Sequence, residues 1–211
     1  VDYTFDPRWG VTLSVPVSDR DHQHIDTATG DFERWKFTNL GDVRVLGRYQ
    51  FDVSGAGTPQ VSYLGLNFGL KLPTGNVDIF NAEGERAERT LQPGTGTTDL
   101  LLGAYYRSLL PLRDTSWFAQ ALAQQPLNSH EDYRPGRRVS LDLGVRYDAT
   151  PKLGLMLQLN ALWRGSDSGV QAEPADSGGR FVYLSPGVSY ALGGKAHRRR
   201  SSWSRSIART S

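Results

Sequence analysis

The chain has 211 residues, enough for one large domain or two small ones. Its 24 Lys+Arg and 22 Asp+Glu leave a formal charge of +2, which by itself points to no nucleic-acid or acidic partner. There is no Cys, which excludes a disulfide framework and any thiolate metal or redox centre. Mean hydropathy is negative, and no apolar run approaches the ~18 residues of a membrane helix. That pattern does not exclude a membrane barrel, whose strands need only about 9–11 residues and are apolar on one face. Val1 is followed by neither a charged n-region nor an apolar h-region, so no signal peptide is read at the start.

Alternation of period two recurs along the chain and predicts eight strands. "WGVTLSVPV" sets Trp9, Val11, Leu13, Val15 and Val17 on one face. "DVRVLGRYQF" sets Val43, Val45, Tyr49 and Phe51 against Arg44, Arg48 and Gln50. "LGLNFGLKLPTG" (64–75) sets four leucines and Phe68 against Asn67, Lys71 and glycines. "DLLLGAYYR" puts Leu100, Leu102 and Tyr106 opposite Asp99 and Arg107. "WFAQALAQQ" puts Trp117 with three alanines, although Ala, Leu and Gln also suit a helix. "RVSLDLGVRY" opposes Leu141, Leu143 and Tyr147 to Asp142 and Arg146, and "KLGLMLQLNALW" opposes Leu155, Leu157, Leu159 and Trp163 to Gln158 and Asn160. "FVYLSPGVSYAL" is the eighth, with Pro186 marking a bulge or a local edge. The segments between strands alternate in length. Residues 18–41, 73–97 and 165–179 read as long loops, 126–136 as intermediate, 52–60 as shorter, and 111–116 and 148–151 as tight turns.

That rhythm predicts an all-β, antiparallel, up-and-down transmembrane barrel over residues 1–192, with its short turns at the periplasmic end. With strand direction so assigned, Trp9, Tyr49, Phe51, Tyr106, Trp117, Tyr147 and Tyr190 gather at one level as a lipid-facing girdle, and Trp163 lies at the opposite end. The polar face, expected to line a wet lumen, holds Arg44, Arg48, Asn67, Lys71, Asp99, Arg107, Asp142, Arg146, Gln158 and Asn160. Four of those arginines with Asp99 and Asp142 suggest a transverse field across a pore. An apolar protein core cannot hold so many charges, because each unpaired one costs several kcal/mol.

At "GLKLPTG" (69–75), "LQPGTGTTDLLLGAYY" (91–106) and "FVYLSPGVSY" (181–190) the chain resembles the transporter-like outer-membrane barrels linked to meta-pathway phenol degradation, over most of residues 60–192. The resemblance implies a bacterial outer-membrane location, membrane lipid as partner, and passive passage of small hydrophobic or aromatic compounds. Two features depart from it. The segment 193–211 is basic, with six Lys+Arg and no acid, where such barrels end in an aromatic strand, and "VDYTFDPRW" reads as a start inside the sheet. Together they suggest part of a larger barrel with a basic tail.

Chemistry-bearing clusters are few. Asp21, His22, His24 and Asp26 in "DHQHID" could meet a divalent metal, but four ligands within six residues rarely converge. "PGTGTT" (93–98) lacks the Gly-Lys-Ser/Thr ending of a phosphate loop and reads as a loop entering a strand. Ser129, His130 and Glu131 are sequence neighbours, which triad partners seldom are. Arg198–Arg200 form a basic run without aromatic platforms, so no nucleic-acid partner is expected. No cofactor, metal or enzymatic role is predicted. The alternatives are a barrel with a structural or adhesion role, and a soluble β-sandwich or lectin-like module that buries its leucine face. Outward leucines at 155, 157 and 159 would exclude the sandwich.

Overall fold

A computed structural model of the chain describes residues 1–25, 30, 32–57, 59–110, 114–175 and 177–191. Asp26 and the basic segment 193–211 lie outside the described residues. The fold is all β: β1 (Asp2–Thr4), β2 (Trp9–Ser14), β3 (Val17–Ile25), β4 (Phe32–Leu40), β5 (Arg44–Asp52), β6 (Val61–Lys71), β7 (Asp99–Leu110), β8 (Thr115–Pro126), β9 (Arg138–Asp148), β10 (Leu153–Arg164) and β11 (Gly179–Tyr190). Nine strands form one antiparallel sheet in the order β1-β2-β5-β6-β7-β8-β9-β10-β11, and β3 with β4 forms a separate two-stranded sheet.

The eight expected strands are present with shifted ends, and three more appear. The segment 18–41, expected as a long loop, is largely the β3–β4 hairpin. β3 is mostly polar on both faces and β4 mixes Trp35 and Phe37 with Glu33 and Asn39 on one face, so no continuous apolar stripe marks the hairpin, and Pro16 separates it from β2. Residues 117–125 are strand, not helix, because β8 pairs along all twelve residues with β7 and along ten of them with β9. Pro186 causes no bulge. Register runs unbroken from Leu153↔Tyr190 to Arg164↔Gly179. The Ala191 amide donates to the Lys152 carbonyl at 2.9 Å, so odd residues of β11 bond to β10 and the Pro186 nitrogen faces the free edge. Short connections (5–8, 53–60, 111–114, 149–152) all lie at one end of the sheet. The other end carries the β3–β4 hairpin and segments 72–98, 127–137 and 165–178.

The two faces are reversed relative to a soluble protein. Leu155, Leu157 and Leu159 are 43, 44 and 38 % exposed, whereas Lys71 and Asp99 are 2 and 0 % exposed. Across β5–β10 the leucine face carries no charged residue and, among the described residues, no layer covers it. A sandwich that buries those leucines is therefore not what the chain forms. The polar face is enclosed because the sheet curls. Residues from β2 through β11 bound one space of about 1400 Å³. Arg44 of β5 and Arg138 of β9, four strands apart, lie close enough to repel one another. The sheet is open among the described residues: β1 and β11 each present a free edge.

Close aromatic–glycine contacts shape the inner face. A Cβ on Gly65 would lie 2.1 Å from the Tyr105 ring, and one on Gly144 would lie 2.2 Å from Phe118. Each ring lies over the glycine of the neighbouring strand, in the space that a side chain there would take. Gly144→Ala is therefore expected to cost about 1–3 kcal/mol, from displacement of Phe118. Gly187→Ala, whose nearest atom is the Met156 methyl at 3.3 Å, should cost about 0.5 kcal/mol or less. Denaturant unfolding of the two variants in the same detergent tests the difference.

Candidate functional site

All ten polar residues read from the sequence stand on the enclosed face, but they do not gather into one ring. The pairings Arg44↔Lys71 and Lys71↔Asp99 place three of them together at the end that carries the long segments. Arg107 and Arg146 lie near the short-turn end, and Arg48 stands mid-strand beside Asn67. Arg48 donates to Thr4 Oγ1 at 3.4 Å, Arg107 lies over the Tyr63 ring at 4.8 Å, and Arg146 donates to Asp148 at 2.8 Å. Between the two ends, Asn160 donates to Asp142 Oδ1 at 2.6 Å, and Asn67 is buried between Arg48 and Gly103. Gln158 lines the large space and pairs across to Gly144 and Ser185. The transverse field expected of Arg44, Arg48, Arg107 and Arg146 is thus spread along the wall, with Arg44 at one end, Arg48 mid-strand and Arg107 and Arg146 toward the other, because strand register separates residues that composition groups together.

The long-segment end is the most constructed part of the molecule. Lys71 Nζ sits 2.9 Å from Asp42 and 3.2 Å from Asp99, all three nearly inaccessible. The glycine-rich stretch 93–98 supplies the remaining partners. Thr95 bonds both Lys71 and Asp42, and Thr97 Oγ1 donates to Asp99 at 2.7 Å. It enters β7 as expected, and its hydroxyls satisfy a buried ion triad. Burial raises the Asp42 carboxyl, but hydrogen bonds from Lys71 and the Thr95 amide outweigh it and hold the group below the usual carboxylate range. Segment 72–98 is itself anchored on the hairpin, where Trp35 packs with Ile79 and Ala87 and its indole donates to the Glu85 carbonyl at 3.1 Å.

Four further cations complete this end: Arg20 of β3, Arg89 of segment 72–98, Arg138 of β9 and Arg164 of β10. With Arg44 and Lys71 they line a cavity of about 250 Å³. Arg164 grips the buried Asp167 at 2.7 and 3.0 Å, and the Tyr133 phenol donates to the same carboxylate at 2.8 Å. Burial pushes that phenol up, and the hydrogen bond to Asp167 adds to the shift. Sequence reading missed these four arginines because Arg20, Arg89 and Arg164 lie outside the eight expected strands and Arg138 is the first residue of one, where face assignment is weakest.

The other clusters separate. His22 and His24 share a face of β3 with Trp35, at 6.2 and 5.5 Å between ring centroids, while Asp21 is on the opposite face with Arg34. Strand alternation prevents their convergence on a metal. Glu131 is engaged by Arg86 at 2.7 Å and by Arg89, and is 3.9 Å from His130, so Arg86 and Arg89 hold the carboxylate that a triad would need. No protein-family model matches the chain, and no curated protein matches it.

Lys71→Met leaves two buried carboxylates facing each other and should cost about 3–5 kcal/mol, part of which Asp42→Asn with Asp99→Asn recovers; equilibrium unfolding measures both. Because Asp42 is depressed in the folded state, its contribution is complete above the unfolded value of about 3.9 and disappears as pH falls through the folded value. Proteolysis of segment 72–98 should therefore accelerate below about pH 4 and be flat from there to neutrality.

Proposed function

We propose that the chain is the wall of an outer-membrane β-barrel that lets small solutes pass along its polar face. The observation that supports this best is the reversal of polarity: an uncharged leucine face stands uncovered, while lysine, aspartate and asparagine are enclosed. In water that arrangement leaves a large apolar surface exposed, which monomeric soluble proteins avoid. In a bilayer the same face meets hydrocarbon.

Register supports the reading quantitatively. A perpendicular drawn from Tyr49 meets Leu66, Ala104, Ala121, Leu141, Ala161 and Val182. The aromatic residues step away from that line in one direction: two residues at Tyr106, four at Trp117, six at Tyr147 and eight at Tyr190. Trp9 pairs with Tyr49, and Phe51 lies beside Leu64. Eight residues over six strand steps is about 27 Å along against about 29 Å across. A level row of rings then requires strands tilted by about 43°, within the range of membrane barrels. Trp163 steps two residues the other way. It lies about nine residues from the row, or about 22 Å along the membrane normal at that tilt, close to the ~25 Å apolar band of outer-membrane barrels. Arg180, across from Trp163, sits at that outer boundary.

The shared space of about 1400 Å³ on the polar face is the route for solutes, and the resemblance in segments 69–75, 91–106 and 181–190 supports small hydrophobic or aromatic cargo. In hydrocarbon the free edges of β1 and β11 require partners. Pairing with each other or with further strands would close the wall.

Leu157→Arg should destabilise the lipid-refolded protein by about 2–4 kcal/mol, whereas its neighbour Gln158→Arg, on the other face, should cost little. Equal tolerance of both would remove the membrane assignment. Conductance across a planar bilayer tests passage separately; an inserted but silent protein would support a structural barrel.

A further inference from the structure

The cavity at the long-segment end is cationic beyond what its own acids neutralise. Arg20, Arg44, Lys71, Arg89, Arg138 and Arg164 line it against only Asp42 and Asp99, and Lys71 lies between both acids. Arg164 is satisfied by Asp167 on one side, yet its Nε is buried without a hydrogen-bond partner. Arg89, 5 % exposed at the side chain, spends Nε on Gln171 and Nη2 on Glu131, and its Nη1 is likewise buried and unpartnered. The guanidinium groups of Arg44 and Arg138 repel one another, Arg164 adds to the repulsion on Arg138 while Asp167 offsets part of it, and neither side chain makes a hydrogen bond or ion pair among the described residues. Buried polar groups are nearly always hydrogen-bonded, and the planar guanidinium fork matches carboxylate and phosphate oxygens.

We propose that this cavity is a binding site for the anionic head of a small solute, a carboxylate or a phosphate, held by the free faces of Arg44 and Arg138 with Arg89 and Arg164 behind them. Its volume admits a compact anion or the charged end of a longer molecule, not a macromolecule. The site opens on the enclosed face, so the anion comes from the aqueous route and not from a headgroup on the leucine face. Binding stands on this geometry alone; selection of anions for passage also rests on the transport reading above. Residues that hold the cavity open, such as Lys71 and Asp167, are distinct from those that contact the anion. Arg44 and Arg138 can therefore be changed without breaking a structural contact.

Equilibrium dialysis of the full chain in non-ionic detergent, at constant ionic strength in chloride, tests it with inorganic phosphate and with succinate. Saturable binding of at least one is expected, weakened tenfold or more by Arg138→Gln and by Arg44→Gln. In anion-free buffer neither variant should be less stable than the parent, because each relieves like-charge repulsion. Absence of saturable binding, or binding unchanged in both variants, would overturn the site. Binding confined to a short-chain phosphatidic acid would overturn the solute reading and reassign the cavity to a lipid headgroup. If binding holds and bilayers show anion-selective conductance, the cavity is the selecting element of the route. Binding without any conductance retains the site and removes passage.

Discussion

A β-strand offers two faces, and in this chain the charged one is turned inward. Everything else follows from that constraint. Charges enclosed on a curved sheet must be neutralised by one another or by hydroxyls and amides, since water is partly shut out. The buried set around Lys71 shows the solution: two aspartates, two threonines and Gln124 converge on one ammonium group and its counterions. The glycine-rich stretch, the hairpin and the first long segment are all positioned so that these partners reach it.

The two ends of the sheet are built differently for the same reason. Toward the short-turn end the inner-face arginines find partners locally, Arg107 a tyrosine ring and Arg146 the carboxylate two residues on. At the other end the connecting segments fold over the mouth and bring side chains from 70 or more positions away, as when Arg20 donates to the Thr90 carbonyl at 3.2 Å. Long connections here are load carriers of charge pairing, and their length reflects the distance each must cover to do it.

Strand identity was legible because alternation is a local property. Leu64 to Lys71 and Leu153 to Trp163 announce their faces without help from the rest of the chain. The β3–β4 hairpin was not, because Trp35 and Phe37 stand among polar residues on a short stretch of one face, and the partners they pack with, Ile79 and Ala87, lie more than 40 residues away. The cationic cavity was half legible: Arg44, Lys71 and Asp99 follow from face assignment, whereas Arg20, Arg89, Arg138 and Arg164 meet only once register and segment docking are known. The same holds for the expected charge field. Sequence shows which face a residue occupies, but height along the wall comes from register.

Pro186 has a consequence for self-association. Along the outer edge of β11, the backbone donors available to an incoming strand belong to alternate residues, and the central one is missing because proline has no N–H. A strand that anneals there gains two short runs of bonds with a gap between them. The edge can still accept a partner whose own sequence tolerates that gap, while a generic extended peptide binds it poorly. One ring in the middle of the terminal strand thus acts as a crude lock on which chains can extend the sheet.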